Sequence, residues 1–165
     1  MSNFFSVSEV VQIGIEIEKN GQDFYNTVAS SSKNKEVKKM WEYLANEEEQ
    51  HIKTFEEILS TVEKYEPPEA YPGEYFSYLK ALSEQHVFTQ KNKGKEIAKK
   101  VKNDTEAIEL AIGFEKDSIL FYYEMKKLVK KDTSKTIDKL IEQEQGHLSK
   151  LSDLKNSLII KKLNK

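Results

Sequence analysis

Apolar residues recur at intervals of three and four along four stretches of this chain, and that spacing predicts four long amphipathic helices. The first opens at Ser6-Val7-Ser8-Glu9, a serine followed three residues later by a glutamate, the pattern in which each side chain caps the other's backbone. It runs to about Ser30, with Val10, Ile13, Ile17, Phe24 and Val28 on its inner stripe. Gly21 costs this helix about 1 kcal/mol against alanine, which points to close approach of another helix. Ser30 to Asn34 is a short polar break. The second helix then spans about Lys35 to Lys64, carrying Val37, Met40, Trp41, Leu44, Ile52, Phe55 and Ile58. A break this short joins antiparallel neighbours.

Pro67-Pro68 and Pro72-Gly73 end the second helix. From about Tyr65 to Asn103 the chain makes a connection too long for a turn. A short amphipathic helix is expected from Glu74 to about Thr89, with Tyr75, Tyr78, Leu79 and Leu82 apolar and Phe88 near its end. Lys91 to Lys95 reads as a basic loop, and a second short helix as Glu96 to Lys102. Asn103 with Glu106 three residues on marks the next helix start. That helix runs to about Lys130 through Ile108, Ala111, Ile112, Phe121, Met125 and Leu128. Lys131 to Ser134 reads as a second break. The last helix begins near Lys135, with Ile137, Leu140, Ile141, Leu148, Leu151 and Leu154 inward, and Lys161 to Lys165 is expected to fray. The expected architecture is all-α: a ferritin-like four-helix bundle of two antiparallel pairs joined by one long crossover, occupying residues 1–165 as a single domain.

Polar residues at inward positions change the picture. Glu48-Glu49-Gln50-His51 and Glu144-Gln145-Gly146-His147 each place a glutamate three residues before a histidine, on one helix face. Each phrase has an upstream companion: Glu18, in Glu18-Lys19 leading to Phe24-Tyr25, and Glu115, in Glu115-Lys116 leading to Phe121-Tyr122. The two sets lie 96 or 97 residues apart, so half the chain reads as a copy of the other. Glu18 and Glu48 stand equally far from the break near Lys33, and Glu115 and Glu144 almost equally far from the one near Lys130, so partners meet at one height. Four carboxylates and two imidazoles converging in a bundle would be costly to bury without a cation. One glutamate from each of two helices and a Glu-x-x-His from each of the other two is the ligand pattern of a dinuclear carboxylate site. The expected metal ligands are therefore Glu18, Glu48, His51, Glu115, Glu144 and His147. Tyr25 and Tyr122, two turns beyond Glu18 and Glu115 on the same face, are the candidate catalytic residues, their hydroxyls bonding to the ligand carboxylates. His86 is expected to be a surface or packing histidine. Glu16, Glu47, Glu49, Glu109 and Glu142 are expected to face solvent or neighbouring lysines.

Composition narrows the function. There is no cysteine among the 165 residues, which excludes disulfides, thiolate zinc and iron–sulfur sites. All 26 basic residues are lysine against 28 acidic ones, which argues against nucleic-acid partners. Without a signal-peptide pattern or an apolar run long enough to span a bilayer, the chain is expected to be soluble and cytoplasmic.

Glu18 with Phe24-Tyr25, Glu48-x-x-His51, Glu115-Lys116-Asp117-Ser118-Ile119 with Phe121-Tyr122, and Glu144-x-x-His147 together resemble the rubrerythrin-like branch of the ferritin-like di-iron carboxylate proteins. The resemblance implies two iron ions as cofactor, with manganese or zinc as alternatives, and a homodimer. It also implies an oxidoreductase that reduces hydrogen peroxide or dioxygen. Full rubrerythrins feed electrons to the di-iron site from a rubredoxin module with cysteine-bound iron. This chain lacks cysteine, so its electrons are expected from a separate donor protein. The alternatives are a ferroxidase or iron-handling protein and a non-catalytic bundle stabilised by metal.

Overall fold

The computed structural model describes residues 6–62 and 73–164. Among the described residues six α-helices follow one another: α1 Val7–Ser31, α2 Lys35–Val62, α3 Gly73–Gln85, α4 Lys93–Ala98, α5 Asp104–Met125 and α6 Lys131–Leu163. Short 3-10 turns at Val87–Thr89 and Lys126–Leu128 complete the order. The four long helices, α1, α2, α5 and α6, form the expected bundle, with α1 packed along α2 and α5 along α6. Readings that fall on Tyr65, Pro67-Pro68, Pro72 and the Tyr75 side chain lie outside the described residues.

Local chemistry sets the helix ends. Ser6 accepts from the Glu9 backbone while Glu9 returns a bond to the Ser6 N–H, closing the expected capping box. Asn103 caps α5 by accepting from the Glu106 N–H. Two boundaries differ from the sequence reading. Lys131 to Ser134 is helical: α6 starts at Lys131, with Asp132 in its first turn, where the helix dipole favours negative charge. The tail stays helical to Leu163, with Lys161 paired to Glu36 and Lys162 donating to Thr105 along it.

The core is built from the predicted stripes. Trp41, Phe24, Phe55, Phe121, Leu44, Ile108 and Met125 are almost wholly buried, whereas Met40 is only partly so. Among the described residues, no helix is long and apolar enough to cross a membrane.

The crossover is where the structure corrects the sequence most. Lys93 to Lys95 belongs to α4 rather than to a loop, and α4 ends at Ala98 instead of reaching Lys102. The lysines suggested solvent, yet Gly94 is buried against α1. The Gly94 N–H donates to Asn20 Oδ1 at 2.8 Å. Asn20 Nδ2 donates to the carbonyls of Phe88 at 2.7 Å and Gln90 at 2.9 Å. Any Cβ at Gly94 would overlap the Asn20 carbonyl, so only glycine lets the two backbones meet. Asn92 turns the chain into α4 in the left-handed region, with φ of 62°, which asparagine tolerates. Asn20 thus clamps the crossover onto α1 two residues from Glu18. Asn20→Ala is expected to cost about 2–3 kcal/mol, because it removes the partners of several buried backbone groups. In a thermal melt this lowers the midpoint by roughly 5–10 °C, and Gly94→Ala should do at least as much. Lys91→Ala, at an exposed position beside the clamp, should change stability by less than about 0.5 kcal/mol.

Candidate metal centre

Each long helix sends its inward polar residues to one level of the bundle. Glu18 comes from α1, Glu48 and His51 from α2, Glu115 from α5, and Glu144 and His147 from α6. All six are buried, none more than 4% exposed. Their ligand atoms form two groups, each within 4.8 Å of one another: Glu18, Glu48, His51 and Glu144, and Glu48, Glu115, Glu144 and His147. Glu48 and Glu144 belong to both. The six side chains singled out in the sequence therefore converge as two adjoining four-ligand sets with two shared carboxylates.

Both histidines point Nδ1 inward. His51 Nδ1 lies 3.4 Å from Glu18, 3.2 Å from Glu48 and 2.9 Å from Glu144. His147 Nδ1 lies 3.0 Å from Glu144 and 3.9 Å from Glu115. The two rings stack with centroids 5.5 Å apart. Glu144 Oε1 has no well-formed hydrogen bond although His51 Nδ1 is close, and the outward Nε2 atoms of both histidines also lack one. A buried carboxylate oxygen without a hydrogen bond, facing an imidazole nitrogen, is what a cation between them would satisfy. The donor set, carboxylate oxygen with imidazole nitrogen, suits iron, manganese or zinc.

The metal-free electrostatics reflect crowding. Burial, then the charges of neighbouring glutamates, pushes Glu48 and Glu115 well above the usual carboxylate range. Glu144 is raised too, by burial and the Glu18 charge. Burial also acts on Glu18, but hydrogen bonds with Glu48, His51 and Tyr122 and the His51 charge bring it down to about 2. His51 is pushed up despite its burial, by Glu18 first and then by Glu144 and Glu48. His147 is lowered by burial, which outweighs Glu115. Repeated residues thus sit in unequal surroundings.

The tyrosines cross between halves. Tyr25 on α1 donates to Glu115 on α5 at 2.5 Å, and Tyr122 on α5 donates to Glu18 on α1. Burial and the carboxylate charges hold both phenols well above their ordinary value, so they keep their protons. Trp41 stacks on Tyr25 at 5.7 Å, and Phe55 packs on Tyr122 at 5.0 Å, fixing both rings. Gly21 faces the Glu48 side chain, and an added Cβ would meet it at 3.5 Å, an ordinary contact. The close helix approach expected there is found at Gly94 instead.

Two polar neighbours were not anticipated, and a third, His86, takes the second of its two expected places. Glu47 is half-buried, not solvent-facing, with its carboxylate 3.7 Å from His147 Nε2. Its place in a run of three glutamates gives no sequence signal. Tyr43 sets its ring edge against His147 at 6.0 Å. His86 packs inside, 2% exposed, with Nε2 3.2 Å from Ser118 Oγ. Glu49 and Glu109 behave as expected, paired with Lys53 and Lys155.

Comparisons with known proteins agree with this geometry. The rubrerythrin family model matches residues 9–155. A crystal structure from Thermotoga maritima, described as a ferritin-like diiron-carboxylate protein, is 30% identical, with a TM-score of 0.68, covering 93% of this chain and 96% of that one. Among curated proteins, none matches. The chain belongs to the rubrerythrin family.

Proposed function

We propose that this member of the rubrerythrin family holds two iron ions on Glu18, Glu48, His51, Glu115, Glu144 and His147 and reduces hydrogen peroxide or dioxygen. The observation that carries the reading is the pair of buried four-ligand groups sharing Glu48 and Glu144. One ion in each group would be held by one imidazole, one carboxylate of its own and two carboxylates in common. Bound iron would supply two electrons to the oxygen substrate. The chain supplies the rest. Four carboxylates offset the ionic charge, the bundle excludes bulk water, and Tyr25 and Tyr122 hold Glu115 and Glu18 in place through hydrogen bonds that carry a proton. On this reading the electrons would come from a donor centre outside these 165 residues, which contain no cysteine to bind a second iron.

The test is metal quantification with optical spectra before and after peroxide, followed by steady-state turnover with a reductase and NAD(P)H. The expected result is two irons per chain, a ferric charge-transfer band on adding peroxide, and repeated peroxide consumption. Oxidation of ferrous iron in a single round without peroxide turnover would favour iron handling, and redox-silent zinc in tag-free protein would point to a structural metal.

A further inference from the structure

A small cavity opens beside the cluster, between α1 and α5. Glu18, Glu48, Glu115, Tyr25, Gly21 and Ser118 line it, over an apolar wall that includes Phe88 and Phe114. Its volume is about 10 Å³, room for one water-sized molecule. It reaches three of the carboxylates assigned to the metals, so a very small ligand bound there would touch the centre.

The lining offers many acceptors and few donors. Ionised carboxylates only accept. The Tyr25 proton is occupied by Glu115. Ser118 remains, and its partner fixes which way it points. The Phe88 backbone N–H donates to His86 Nδ1 at 3.3 Å, so that nitrogen carries a lone pair. Burial holds His86 down at about 4, and it is neutral under ordinary conditions. A neutral imidazole accepting at Nδ1 bears its hydrogen on Nε2. His86 Nε2–H therefore donates to Ser118 Oγ, and the serine keeps its own hydrogen to give.

We propose that Ser118, oriented by His86 from the crossover, donates a hydrogen bond to the outer oxygen of a two-atom oxygen substrate, that outer atom alone entering this cavity. The inference rests on the dinuclear reading above. Ser118 is the residue that touches the ligand, and His86 is a positioning residue. The Asn20 clamp on Phe88 and Gly94 sets the height at which His86 enters, which gives the crossover a role in the site.

Nitric oxide, a two-atom stand-in for dioxygen, tests this on the ferrous-loaded full chain. Its N–O stretching frequency falls when a donor pulls charge toward the oxygen. The expected result is a stretch shifted to higher frequency in Ser118→Ala and His86→Leu, and about tenfold weaker nitric oxide binding in both, the worth of one hydrogen bond. His86→Gln, whose amide can still donate to Ser118, should restore both values, which a packing role would not. Two irons per chain with the same stretch and affinity in wild type and Ser118→Ala overturns this inference and leaves the dinuclear reading standing. Failure of wild type to load iron overturns both. Melting curves of each variant confirm that the fold is retained, and Ser118→Ala, losing one oxygen, tests the idea even if His86→Leu does not fold.

Discussion

Metal should reverse the pH dependence of stability. Stripped of metal, the protein is expected to melt at lower temperature as pH rises from about 6.5 to about 8.5, while the loaded protein melts higher over the same interval. Glu48, Glu115 and Glu144 have folded values above the 4.5 of a free glutamate. Each holds its proton more tightly in the folded chain than in the unfolded one, so its stabilisation is complete below about 4.5 and is lost as pH rises toward the folded value. His51, also raised, acts in the same direction. Glu18 is lowered and stays ionised in both states across the interval. His147 and His86 are lowered and act the other way, but their contribution fades as pH rises above about 6.5, where the unfolded imidazoles lose their protons too. The net slope of the metal-free protein is therefore downward. Metal binds the ionised ligands and releases their protons, so its affinity grows with pH. At free metal near 100 times the dissociation constant, binding adds ~2.7 kcal/mol per site. Two sites then raise the midpoint by roughly 10–20 °C. Melts at both pH values, with chelator and with ferrous or manganous ion, measure all four quantities. Parallel slopes in the two series would contradict the proposed centre.

Glutamate-to-alanine substitutions should split into two classes by metal count. Glu48→Ala and Glu144→Ala remove a ligand from both four-residue groups, and each is expected to reduce bound metal from two per chain to nearly none. Glu18→Ala and Glu115→Ala damage one group each, so one ion should remain. The metal-free proteins should move the other way. Removing Glu48 or Glu144 takes a buried carboxyl out of the crowded cluster, so their stability without metal should hold or rise. Calorimetric titration with manganous ion gives the stoichiometry, and melts with chelator give the second comparison. A uniform loss of one ion in all four variants would show that no carboxylate is shared.

What could be read in advance depended on range. Glu48 and His51, or Glu144 and His147, are three apart, and helix geometry alone puts them together. The halves could be aligned because Glu-Lys and Phe-Tyr recur at fixed spacing, which brought Glu18 and Glu115 to the same level. The α6 start was hidden because Lys131 to Ser134 is polar, and a polar run fits a helix's first turn as well as a break. The Asn20 to Gly94 bond joins residues 74 apart, and a lysine-rich segment gives no hint that its glycine is buried. His86 and Ser118 meet only because that clamp sets the crossover against α1 while Ser118 faces inward from α5. Glu47 reaches His147 through the packing of α2 on α6, which helical period leaves undetermined.

The crossed tyrosines have a consequence for how the two halves hold together. Tyr25 reaches from the first half to Glu115 in the second, and Tyr122 reaches back to Glu18. Neither helical hairpin closes its own half of the centre, yet two identical hairpins facing each other would close both. The two halves thus complete each other as a two-fold pair would, with the crossover joining them. Their mutual dependence can be tested by complementation. Separate peptides ending at Val62 and beginning at Gly73 each carry three of the six ligands. Mixed together, they should assemble when ferrous or manganous ion is supplied and part when it is chelated, the metal acting as the join that the peptide bond now provides.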